Sequence, residues 1–247
     1  MFIKFCEARH NLAKECTTSG LGTLQFYADD NPDCLRYDYR EGAFQITNNG
    51  EAVQMDGHSF ERLSSGGVLA LNGVSIAAGA KFTAKFQFPN CYIFCFSQNV
   101  SPTVDVARMI NKAYDDWYVI TNLHQLISHT AELLLSQLKV SDLEQLDDIS
   151  LQWLRGLTLQ IVHRPCSYDG RELTLNQESV QQAVQASEDM FRWAFAKEPK
   201  HGEVPEYRVL FVLRDAQGQI VPVKKNLKVL KLLPDLGVST IEVTQGG

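Results

Sequence analysis

Short alternating apolar runs, broken by Gly, Pro, Asn and Asp, dominate this chain, while helical spacing of apolar residues is confined to a few stretches. Residues 1–5 alternate and predict a first strand. Residues 7–16 carry Ala8, Leu12, Ala13 and Cys16 at helical spacing, and Ser19-Gly20 supplies a stop, so a short helix is expected there. The β-rich alternation of residues 22–27 predicts a strand. From 51 to 97 the runs 51–55, 68–71, 74–77, 81–88 and 91–97 are separated by turn dipeptides, which predicts an antiparallel meander. Within it, Asn72-Gly73 is a tight-hairpin signal, because both residues tolerate positive φ.

Three longer helices are predicted. Ser101-Pro102 opens one over 101–112. A second over 122–138 follows from Leu123, Leu126, Ile127, Leu133, Leu134 and Leu138. The third, over 176–195, follows from Val180, Ala183, Val184, Met190, Phe191 and Ala194. Further strands are expected at 117–120, 157–163, 171–175, 206–213, 219–223, 227–233 and 238–243. The pattern as a whole predicts one α+β domain over 1–247: a strongly bent antiparallel sheet, or two small sheets, packed by about three main helices.

The stretch 191–215 carries the best candidate site. After a turn at 199–202 the chain re-emerges as Glu206-Tyr207-Arg208 and feeds the apolar run 209–213. Side chains two apart on a strand share a face, so Glu206 and Arg208 stand side by side where the strand opens. The competing reading is a structural ion pair, worth about 0–1 kcal/mol if exposed.

Composition narrows the field. A net charge of −6 and a sequence pI near 5.5 argue against a nucleic-acid surface as the main function. The densest basic run, Lys224, Lys225, Lys228 and Lys231, reads as a solvated edge strand. Six cysteines are scattered and no segment near Met1 reads as a secretory signal, so disulfides are not expected and a cytoplasmic location is. Cys91 and Cys95, with apolar neighbours, read as core thiols. No apolar run reaches the roughly 18 residues of a membrane span. His124 and His129 are not one helical turn apart and are expected on a polar face, and no metal site is predicted. The dinucleotide-fingerprint, phosphate-loop, zinc-protease and nucleophile-elbow patterns are missing, so no cofactor is certain.

What remains is a constellation. Gly22-Thr23-Leu24 with Tyr27 comes first, then Arg40-Glu41-Gly42 in a charged, aromatic loop, then Cys95-Phe96-Ser97, then Lys197 and Glu206-Tyr207-Arg208. In that order these motifs resemble a group of bacterial and phage-associated proteins, some of which are similar to remote relatives of the ADP-ribosyltransferase fold. The resemblance implies chemistry on a nicotinamide dinucleotide, NAD being the possible substrate, in a bacterial or phage conflict system. It implies Glu206 and Ser97 as the catalytic pair, with Tyr27, Arg40 and Arg208 as ligand contacts. The first strand, MFIKF, carries no Arg or His, and no S-T-S run occurs. The alternative from another class is a non-catalytic protein that binds a host or phage protein through an anchor at Tyr37 and Tyr39.

Overall fold

In the computed structural model the described residues are 1–14, 16–28, 41–55, 74–76, 78–144, 151–232 and 243–245. The strands, in chain order, are β1 (Phe2–Cys6), β2 (Thr18–Thr23), β3 (Ala43–Asn49), β4 (Val53–Met55), β5 (Val74–Ile76), β6 (Lys81–Gln87), β7 (Tyr92–Gln98), β8 (Asp116–Ile120), β9 (Thr158–Pro165), β10 (Glu172–Thr174), β11 (Glu206–Arg214), β12 (Leu227–Lys231) and β13 (Val243–Gln245). The helices are α1 (Leu24–Ala28), α2 (Val104–Ile110), α3 (Leu123–Ser136), α4 (Leu151–Arg155), α5 (Val180–Glu188) and α6 (Met190–Phe195). Two compact units result, one of Met1–Tyr39, Pro89–Cys166 and Lys200–Gly247, the other of Arg40–Phe88 and Ser167–Pro199. The α+β class expected from the pattern is the class observed. Among the described residues no helix is long and apolar enough to cross a membrane.

The first unit holds an eight-stranded sheet whose pairs are all antiparallel. Its middle is β7, an apolar run buried on both faces, which a strand tolerates only with neighbours on both edges. One edge of β7 runs along β11, from Tyr92 opposite Phe211 to Ser97 opposite Glu206. The other edge is shared: β2 takes the start, with Gly22 opposite Ile93, and β1 takes the end, with Ile3 opposite Ser97. On one face Tyr92, Phe94, Phe96, Val209, Phe211 and Leu213 pack with Leu126, Ile127, Leu133 and Leu134 of α3. On the other, Ile3 and Phe5 pack with Ala107 of α2. Ser97 and Glu206 belong to this second face, since Ile3, Ser97 and Glu206 are in register.

In the second unit β10, β3 and β6 form a sheet with β10 parallel and β6 antiparallel to β3, and β4 pairs with β5. Its core joins Phe44, Ile46, Val53, Leu175, Val180 and Trp193.

Several local expectations are overturned. The helix over 7–16 reduces to a 3-10 turn, Ala8–His10. Asn11 ends it: its amide donates to the Asp116 carboxylate (2.8 Å) and the Trp117 carbonyl (3.0 Å), and its oxygen accepts from the Ala13 N–H (2.8 Å). The strand over 22–27 is strand only to Thr23 and then helix α1. There the Thr23 hydroxyl accepts from the Phe26 N–H and the Asn90 side chain from the Gln25 N–H, two of the donors a helix start leaves open. Of the expected meander, β4 and β5 pair antiparallel, but β6 and β7 do not continue it, because they lie in different sheets. Of these two the first is mostly exposed and sits at a sheet edge, whereas the second must be central. Residues 68–71 and Asn72-Gly73 lie outside the described residues. Helix α2 starts on Thr103, whose hydroxyl accepts from the Val106 N–H, rather than on Ser101. The helix over 176–195 breaks at Asp189, whose carboxylate caps α6 at the Arg192 N–H. His129 is not on a polar face: its Nε2 is buried beside a small apolar cavity lined by Leu12, Leu126, Leu133 and Leu230.

Candidate active site

Strand β11 begins between β7 and β9, so its first residues have neighbours on both sides. Arg208 faces Cys95 of β7 and Arg164 of β9, and Glu206 faces Ser97. The Arg208 guanidinium reaches back two residues and donates from Nε (2.8 Å) and Nη2 (2.7 Å) to Glu206 Oε1. The Cys166 thiol lies 3.7 Å from the same oxygen, and the Cys166 backbone N–H donates to the Glu206 carbonyl at 2.8 Å. The burial is uneven. The side chain of Arg208 is 1% exposed and that of Glu206 18%; Ser97 and Cys166 are buried. A carboxylate with some access to solvent is thus held by a cation with almost none.

The opposite face of the same strands is mostly apolar. Tyr207 packs edge-on against Phe2, and its hydroxyl lies 2.7 Å from Nδ1 of the exposed His163. Burial pushes the Tyr207 phenol above its ordinary pKa, so it stays protonated through the neutral range.

The structure brings together some of the predicted residues and separates others. Ser97, Glu206 and Arg208 share one face and are register neighbours. Tyr27 is on that face too. Its ring lies against Gly22, where an added Cβ would come within 2.4 Å of it, and Gly22 is opposite Ile93. From Ile93 to Ser97 is four residues, about 13 Å along the strand. Arg40, Tyr37 and Tyr39 lie outside the described residues. Glu41 and Lys197 belong to the second unit, where both are buried. There Glu41 faces Arg171 Nη2 at 3.4 Å, and Arg171 also donates from Nε to the Ala196 carbonyl at 2.7 Å.

Two residues of the site were not found by sequence reasoning. Arg164 and Cys166 reach Glu206 and Arg208 only through the β9–β11 register, which no local pattern encodes. The described cysteines are in the thiol form. Cys6 is pushed up to about 12 by burial, partly offset by Lys4, so it is inert near neutral pH. Among the described residues no group of three His, Cys, Asp or Glu side chains could hold a metal ion.

Against family models, curated proteins and solved structures, the chain finds no match.

Proposed function

We propose that the face carrying Ser97 and Glu206 binds a nicotinamide dinucleotide and either transfers its ADP-ribosyl group or hydrolyses the glycosidic bond. The observation that carries this reading is the direct cross-strand pairing of Ser97 with Glu206. Tyr27 on the same face and Arg164 beside Arg208 support it. In the reaction the bond between the ribose anomeric carbon and the pyridine nitrogen breaks, and nicotinamide leaves with the electron pair. Water or an acceptor hydroxyl then bonds to that carbon and loses a proton. Positive charge builds on the ribose as the bond breaks, and a fixed carboxylate stabilises it without having to reorganise.

Glu206 is that carboxylate in this proposal. Arg208, expected from the sequence as a ligand contact, is buried and acts instead as a positioning residue that holds Glu206 in one orientation. The Ser97 hydroxyl orients the substrate. Arg164 faces the pyrophosphate, and the Tyr27 ring borders the far end of the same surface.

The test is nicotinamide release from the dinucleotide by wild type and Glu206→Gln, with melting temperature followed in parallel. Glu206→Gln keeps the shape and removes the charge, so release should fall by about a hundredfold or more. Wild type should also gain stability with ligand, as any ligand that prefers the folded chain confers. Equal release by the two proteins, or no rise in wild-type melting temperature at millimolar dinucleotide, sinks the proposal.

A further inference from the structure

Strand β12 is an outer strand of the eight-stranded sheet, and its side chains alternate between core and solvent. Lys228 and Leu230 turn inward. Lys228 is buried because its ammonium pairs with the Asp142 carboxylate and donates to the Gln137 carbonyl at 2.8 Å. The basic run therefore presents only Lys224, Lys225 and Lys231 to solvent. Between them stand Leu227 and Val229, 48% and 55% exposed.

The backbone of this strand is just as informative. Leu232 N–H donates to the Thr17 carbonyl at 2.9 Å. Hydrogen-bonded positions alternate along an antiparallel pair, so Leu230 and Lys228 turn their main-chain groups to β2. Leu227, Val229 and Lys231 turn theirs away from β2. At Lys231 one side-chain amide takes both groups: Gln137 Nε2 donates to the Lys231 carbonyl at 2.8 Å, and the Lys231 N–H donates to Gln137 Oε1 at 2.9 Å. Among the described residues nothing does the same for Leu227 or Val229. Across from Val229 lies Gly20, and the Leu227 side chain lies over it, with Cδ1 3.4 Å from where an added Cβ would stand.

We propose that the β12 edge docks an extended, acidic segment of a partner protein, which adds as a strand beside Leu227 and Val229. Main-chain hydrogen bonds to the two outward-facing residues supply the affinity, and Gln137 marks the place where an amide already pairs with this edge. Alternate apolar side chains of the segment cover Leu227 and Val229. Its carboxylates meet Lys224 at one end and Lys231 at the other, which sets the preference for acidic partners. Pairing of two copies through this edge is opposed by lysine facing lysine. A nucleic-acid strand would find aliphatic side chains where it needs aromatic faces. The inference stands apart from the Glu206 site and survives its failure.

The experiment is an amide NMR titration of the full chain with a capped peptide of alternating Glu and Val, and with its Lys-Val counterpart. The acidic peptide should shift the amides of Leu227 to Lys231, slow solvent exchange at Val229, and bind at least about tenfold more tightly than the basic one. Val229→Pro deletes an outward N–H that β2 does not use, and should abolish the response. Lys224→Glu with Lys231→Glu should reverse the peptide preference, which keeps the test decisive if the proline variant misfolds. The proposal is overturned by no shift at this edge with millimolar acidic peptide, or by equal response to both peptides. Spectral changes that grow with protein concentration alone would assign the edge to self-pairing. Displacement of the peptide by a single-stranded oligonucleotide would assign it to nucleic acid, and either outcome refutes it.

Discussion

Arg208 holds a full positive charge with almost no solvent contact, and that burial sets what its pairing with Glu206 is worth. An exposed pair contributes about 0–1 kcal/mol, but separating the partners of a buried pair costs about 3–5 kcal/mol because a desolvated charge loses its counter-ion. Arg208→Ala should therefore lower the unfolding free energy by several kcal/mol in urea titrations, well beyond the small cost expected from the sequence. The double variant Glu206→Gln with Arg208→Met should lose less than the sum of the single losses, with a coupling of about 1–3 kcal/mol. Strictly additive losses would contradict a paired role. The adjacency of the two side chains was legible, since a strand repeats every two residues. The burial was not, because it depends on Cys95 and Arg164 from strands far away in the chain.

Among the elements, the turn from β2 into α1 is the most instructive. Gly22-Thr23-Leu24 alternates as a strand should, yet the Thr23 hydroxyl and the Asn90 side chain satisfy the first helical N–H groups and the chain coils after Thr23. The Tyr27 ring then folds back onto Gly22. A methyl group at Gly22 has no room unless that buried ring moves, so Gly22→Ala should cost about 1–3 kcal/mol, the usual range for overpacking. With Tyr27→Ala in the background, the same substitution should become nearly neutral in equilibrium unfolding. A full cost in both backgrounds would show that the ring is not what Gly22 accommodates. The strand-to-helix switch was hidden because one of its two capping groups, Asn90, sits on the connection just before β7.

On the scale of the whole molecule, the eight-stranded sheet is assembled from distant parts of the chain. β1 lies between β7 and β8, β2 pairs with β12, and β11 pairs with β7 and β9. Such pairings pay loop-closure entropy before they gain contacts, so the order of this sheet depends on contacts between distant parts of the chain. The consequence can be measured at β1. Ile3 is fully buried and Met1 is 60% exposed. Ile3→Ala should destabilise by about 2–5 kcal/mol and Met1→Ala by less than about 0.5 kcal/mol, as followed by thermal and urea unfolding. Similar effects at the two positions would mean that β1 is not a central strand. The sequence by itself determined the α+β class, the long helix α3, the apolar strands β7 and β11, and the sharing of a face by Glu206 and Arg208. These depend on periodicities of two and 3.6 that any local stretch displays. Tertiary structure alone decided the pairing of Ser97 with Glu206, the arrival of Arg164 and Cys166, the burial of Arg208 and Lys228, and which residues of β12 face away from β2. Each depends on which strands lie side by side, and that choice is made by burial across the whole sheet.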